Sequence, residues 1–239
     1  MIERMRSKST VLNCFSPPVM LVTMVIELGL ACWVLYRYRQ TRLVRIVVMI
    51  LALLAVFQLA EFNVCTGYFG VDSLTWARVG FVAITALPAL GIHALLVIAR
   101  QPQRYIMTAI YALMLGFMLY FAFAGQGLSS SVCGGNYVIF ETTPQMAKWY
   151  SLYYYGLEVI ALVFAWRYGR RATQPRIRQA LYGFAAAYLV LLVPTTTVNV
   201  IYPETIGGIS SIMCGFAVFL ALIVALYVLP RGQDAKHLR

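Results

Sequence analysis

The chain has 239 residues, 62% of them hydrophobic and only 11% charged, with a mean hydropathy of +0.78. That composition excludes a water-soluble globular domain, and apolar segments take up so much of the length that no soluble catalytic domain fits beside them. A net charge of +11 and a pI near 9.6 would suit a nucleic-acid binder, but the basic residues fall between the apolar segments, so the charge reads as topology and no nucleic-acid partner is expected.

Seven apolar segments, at about 18–37, 44–64, 76–98, 105–125, 147–166, 180–200 and 208–229, are each long enough to cross a hydrocarbon core of about 30 Å as a helix. None shows the ten-residue alternation of an outer-membrane barrel. The expected fold is therefore all-α, a single seven-helix transmembrane domain over 1–239. Arginines and lysines alternate with the spans. Arg37, Arg39, Arg42 and Arg45 follow the first span, Arg100 and Arg104 the third, Arg167, Arg170, Arg171, Arg176 and Arg178 the fifth, and Arg231, Lys236 and Arg239 the seventh. The opposite side holds Arg4, Arg6, Lys8, Arg78 and Lys148. Basic residues favour the cytoplasmic side, so the amino terminus is expected outside and the carboxyl terminus in the cytoplasm, in an inner (plasma) membrane with lipid as the surrounding partner.

The first span starts at Pro17 and Pro18 and carries Glu27 near its middle. Its apolar run is too long for a signal-peptide core and no small-residue cleavage site precedes RYRQTR, so it is read as a retained span. Span two carries Gln58, Glu61 and Cys65 at i, i+3, i+7, which puts them on one stripe. The connection after it is short, so spans two and three are antiparallel neighbours and Arg78 lies at about the depth of Glu61. An ion pair between them is expected, with a structural role. Span three continues through Pro88 to His93.

After span four comes the longest outer loop, with Cys133. Cys14, Cys65 and Cys133 all fall on the oxidising side, where Cys65 with Cys133 is the first choice for a disulfide, Cys14 with Cys133 the rival, and three free thiols a further alternative. Span five opens on KWYSLYYYGLE, where Trp149, Tyr150, Tyr153 and Tyr155 read mainly as an aromatic belt at the headgroups. Tyr154 shares a stripe with Glu158 and is expected to face inward. Asn199 adds neutral polarity to span six, and Cys214 lies within span seven.

Ionisable groups inside spans are costly and so mark function by default. Glu27, Gln58, Glu61, Tyr154, Glu158 and Asn199 are the candidate ligand-binding residues, in the outer half of the bundle. The absences are also informative. His93 and His237 are too few for a bis-histidine haem within the bundle or a three-histidine zinc site, span seven has no lysine for a retinal Schiff base, and CxxC, Walker and HExxH patterns do not occur. No metal or cofactor is expected.

Two stretches, LAEF at 59–62 and WARVGFVAITALPALGIHALL at 76–96, resemble the seven-helix amino-terminal sensor region of bacterial histidine kinases. The matching positions are Glu61, then Trp76, Arg78 and Gly80, then Pro88 and His93. The likeness covers about the first hundred residues, and only PRGQDAKHLR follows span seven, where such proteins carry an output module. It implies a stand-alone sensor or receptor that binds a small ligand and signals through a cytoplasmic or membrane partner, rather than an enzyme. Two other classes remain: a proton-coupled small-molecule transporter using Glu27 and Glu158 as a relay, and a small lipid- or quinone-modifying enzyme using the same pair as acid and base.

Overall fold

The computed structural model describes residues 16–124, 130–133 and 138–233. Pro17 and Pro18 occupy the first turn of α1 (Pro17–Arg37), where a missing backbone N–H costs little. Its buried residues, Met20, Thr23, Glu27, Ala31 and Val34, form one stripe, and this stripe packs on α2 (Arg42–Thr66). Thr41 caps α2 by accepting from the Val44 N–H at 3.3 Å, and Gly67 ends it at φ 62°, a left-handed conformation suited to glycine.

The third apolar segment is two helices, α3 (Ser73–Thr85) and α4 (Leu87–Ile98). Asp72 caps α3, accepting from the Thr75 hydroxyl at 2.7 Å and the Thr75 N–H at 2.8 Å, and these bonds hold its carboxyl below the ordinary range. The break precedes Pro88, whose missing N–H and ring interrupt the helical ladder. The Tyr153 hydroxyl donates to the Thr85 carbonyl at 2.7 Å and so satisfies the backbone at the break.

Beyond α5 (Arg104–Phe123) the chain forms an antiparallel ribbon, β1 (Ser130–Cys133) and β2 (Val138–Glu141), pairing Ser130 with Glu141 and Cys133 with Val138. This ribbon departs from the all-helical expectation. Thr143 and Pro144 then start α6 (Pro144–Arg171), three residues before the expected boundary, because the Thr143 hydroxyl accepts from the Met146 N–H at 3.4 Å. α7 (Pro175–Ile201) carries Pro194 within it, and a 3-10 turn at Pro203–Gly208 leads to α8 (Ile209–Ile223). A π-helical turn over Val224–Val228 joins α8 to the short α9 (Leu229–Gly232).

Among the described residues, six helical segments are long and apolar enough to cross a membrane: α1, α2, α3 with α4, α5, α7, and α8 through α9. The chain is thus a helical multi-pass membrane protein, and the exposed valines, leucines and isoleucines of these segments are surface for lipid. α6 has 28 residues, but its tyrosines and Glu158 make it less apolar. In the most apolar 18-residue stretch of α3–α4, 78% of the residues are buried, against 17% in that of α5, so α2, α3–α4 and α8 form the centre and α5 lies at the edge. At one end the Gln233 amide donates to the Thr41 hydroxyl at 3.3 Å and Gly232 packs on Leu43 and Ile98. This end gathers the arginine-rich connections, and the ribbon caps the other.

Candidate functional site

Glu27, Gln58 and Glu61 meet where α1, α2 and α8 touch, and all three are buried. Gln58 donates through Nε2 to the Cys214 carbonyl of α8 at 2.9 Å, so its position is fixed by a backbone group one helix away. Glu61 hydrogen-bonds Ser211 through its carboxyl, while its Oε1 has no partner. The Ser211 hydroxyl also accepts from the Val138 N–H of β2 at 3.3 Å, which ties the ribbon directly into the carboxyl cluster. Both carboxyl oxygens of Glu27 are buried without a hydrogen-bond partner. A cavity of about 10 Å³, room for about one water, adjoins Thr23, Gln58, Glu61 and Ser211.

On the other face of α8, Tyr154 and Glu158 of α6 line a second cavity with Tyr188 of α7, Gly91 of α4 and Cys214. It holds about 30 Å³ open to water-sized molecules, and its wall is otherwise apolar, with Leu54, Phe184 and Met213 among the lining residues. Glu158 is 1% exposed, and its Oε2 has no hydrogen-bond partner. Gly91 admits the Tyr188 hydroxyl, because a Cβ on Gly91 would collide with it. A third space of about 50 Å³ lies beside Tyr150, Tyr154, Ser210 and Cys214. Cys214 is thus the hinge between the two groups: its carbonyl holds Gln58 on one face, and its side lines the Glu158 cavity on the other. Among the described residues no three His, Cys, Asp or Glu side chains converge as a metal site requires.

The structure departs from the sequence expectations in several places. Glu61 and Arg78 form no ion pair: Ala60 and Phe57, not Glu61, face α3, where Gly80 lets them approach, and Glu61 lies one residue round the helix toward Ser211. Arg78 is half-buried with its Nε unpartnered. Asn199 stands apart from the cluster, its amide donating to the Thr195 carbonyl at 3.0 Å and its Oδ1 accepting from the Thr205 hydroxyl at 2.8 Å. Tyr150 and Tyr153 are packing groups rather than a headgroup belt, since both pack against Phe117, Tyr150 edge-on and Tyr153 tilted, and Tyr150 also meets Phe81 and Phe121. Of the aromatic residues in that run, only Trp149 is well exposed. Cys65 is disulfide-bonded, and Cys32 and Cys214 are free. Cys14 and the side chain of Cys133 lie outside the described residues.

Ser211, Cys214, Tyr188 and Gly91 complete the site and were not singled out from the sequence as site residues. The two serines at the head of span seven were a visible signal, because hydroxyls in an apolar helix usually face a neighbouring polar group. Tyr188 carried no comparable signal. No protein-family model matches the chain, and no curated protein matches its sequence.

Proposed function

We propose that the chain is a receptor-like sensor of the plasma membrane that binds a small ligand between its helices and passes the event to a cytoplasmic or membrane partner. In this reading α6 is a seventh span, the amino terminus lies outside, and the arginine-rich end lies in the cytoplasm. The observation that carries it is Glu158, whose Oε2 is buried without a partner beside an apolar cavity shared with Tyr154 and Tyr188. A buried polar atom left unsatisfied is costly, and a ligand that supplies a donor would relieve it. With only about 30 Å³ free the cavity would have to widen on binding, and its lining would then suit a compact, mostly apolar molecule with one hydrogen-bond donor or cationic group. Glu27, Gln58 and Glu61 lie behind α8 and would sense its movement through the Gln58 bond to Cys214.

Ligand binding can shift such a bundle only through differential affinity for its two states, so Glu158→Gln and Glu158→Leu are expected to weaken binding and signalling together. A panel of small amines and alcohols, read by thermal shift of the purified protein, tests this. Compounds that stabilise wild type but not Glu158→Leu support it, and equal shifts for both proteins sink it. A proton-coupled carrier is the second reading, favoured by the two unpartnered oxygens of Glu27 close to Glu61. It requires that Glu27→Gln abolish pH-driven flux in sealed vesicles, which a receptor does not show.

The same reading closes the ribbon end with a Cys65–Cys133 bridge, supported by the oxidised state of Cys65 and by the packing of β1, which ends at Cys133, against α2. Reduction should then lower stability by about 2–4 kcal/mol. Non-reducing peptide mapping that joins Cys65 to Cys14 instead would replace this bridge with its rival.

A further inference from the structure

The basic end of the bundle carries a cleft that the reading above does not use. α5 is held to the bundle by aromatic packing toward the ribbon end, where Phe121 meets Phe81 and Tyr150. Nearer the basic end, α4 and α5 are bridged by the His93 Nδ1 and the Tyr111 hydroxyl at 2.6 Å. Between that bridge and the helix ends a space of about 900 Å³ opens, with His93 and Tyr111 in its lining.

Three arginines stand at this cleft. Arg42 is the first residue of α2, Arg104 the first of α5, and Arg100 lies just past α4. Arg100 has φ 55°, the left-handed conformation that usually takes glycine where a helix ends, and its N–H is bonded to the Val97 carbonyl. A side chain held there against backbone preference is a recognised mark of a functional position. The rest of the lining is largely apolar, with Val97, Met107 and Leu115 among it, and Leu115 is 52% exposed on a helix that fits a membrane span. The cleft is therefore charged at the helix ends, apolar along its wall, and open sideways to where lipid would lie.

We propose that this cleft is a binding site for an anionic phospholipid, with the phosphate group at Arg42, Arg100 and Arg104 and an acyl chain along the α4–α5 wall. Guanidinium groups pair with phosphate oxygens in bidentate geometry, and basic pockets between membrane helices suit lipid headgroups of this charge. Free phosphate would meet the arginines but leave the apolar wall uncovered. The lipid would also fill the gap beside α5, the helix least buried in the bundle.

The test is native mass spectrometry of the purified full chain with phosphatidylglycerol or phosphatidylcholine of identical acyl chains, and separately with inorganic phosphate. One phosphatidylglycerol is expected to stay bound at least about tenfold more tightly than phosphatidylcholine, with no comparable retention of phosphate. The Arg42→Gln, Arg104→Gln double variant should lose about 25-fold, near fivefold for each arginine. Leu115→Trp, which fills the wall and keeps every arginine, should also lower retention. Arg170→Gln removes a charge beyond the cleft that sits over Trp166, and it should change nothing. Equal retention of the two lipids, phosphate binding as strong as lipid binding, or an Arg170→Gln loss equal to that of the double variant would each overturn the proposal.

Discussion

Replacing Phe121 with alanine is expected to destabilise the protein by about 3–5 kcal/mol, the usual cost of emptying an aromatic site in a packed interior. Phe121 is fully buried although it sits on the most peripheral helix, and Ile110 is the other buried residue of α5. Its ring lies 4.9 Å from both Phe81 and Tyr150, and it meets Tyr120 at 5.7 Å. Lipid is as apolar as phenylalanine, so helix association here depends on packing rather than on escape from water, and the lost contacts are not recovered elsewhere. Leu119→Ala, two residues away and 49% exposed, should cost less than about 1 kcal/mol. Unfolding of the two variants under the same denaturing detergent gives the comparison. Equal stability would mean that α5 is held by something other than this aromatic cluster.

The second large effect is expected at Gly91. An alanine in a helix interior ordinarily gains about 1 kcal/mol over glycine. Here the new methyl would collide with the Tyr188 hydroxyl, and the Tyr188 ring is buried against Phe184 at a centroid distance of 5.4 Å, which limits how far it can retreat. Overpacking of this kind costs about 1–3 kcal/mol, so Gly91→Ala should come out destabilising. Adding Tyr188→Phe removes the colliding atom and should recover much of the loss, though the ring carbon that bore the hydroxyl would still stand 3.2 Å from the methyl. A double-mutant cycle on thermal stability measures the coupling. A stabilising Gly91→Ala, or a coupling near zero, would show that Tyr188 has free room beside α4.

Much of the architecture was legible because length and hydropathy are enough to define a membrane span. α1 and α2 start and stop within a few residues of their expected bounds for that reason. The third span reads as one segment by hydropathy, yet Pro88 divides it, since hydropathy reports residence in lipid and not the continuity of backbone hydrogen bonds. The ribbon escaped notice because two four-residue strands carry no periodic signal that separates them from loop. In the candidate site, the i, i+4 spacing of Tyr154 and Glu158 placed both beside one cavity. The Glu61–Arg78 pairing failed because it matched depth along the helices without azimuth: a step of one residue turns the side chain by about 100°, enough to exchange α3 for α8 as the neighbour. Asn199 had both its amide and its carbonyl committed to nearby threonines, and nothing in the spacing of span six foretold the turn that brings Thr205 to it.

The π-helical turn at Val224–Val228 has a consequence for how this chain can change in length. The Leu229 N–H bonds the Val224 carbonyl five residues back, so the turn holds one residue more than an α-helix would place there. Such a turn is geometrically a single inserted residue that the helix has absorbed without losing its direction. Val224, Ala225 and Val228 within it and Leu229 just after it are buried, and the Gly183 backbone leaves room for Tyr227 and Val228. Loss of one residue within the turn could therefore be taken up by closing it to a regular α-turn, whereas the same loss higher in α8 would swing the Ser211 and Cys214 face away from its neighbours. A one-residue deletion in this span is thus expected to be tolerated best at the five positions of the turn.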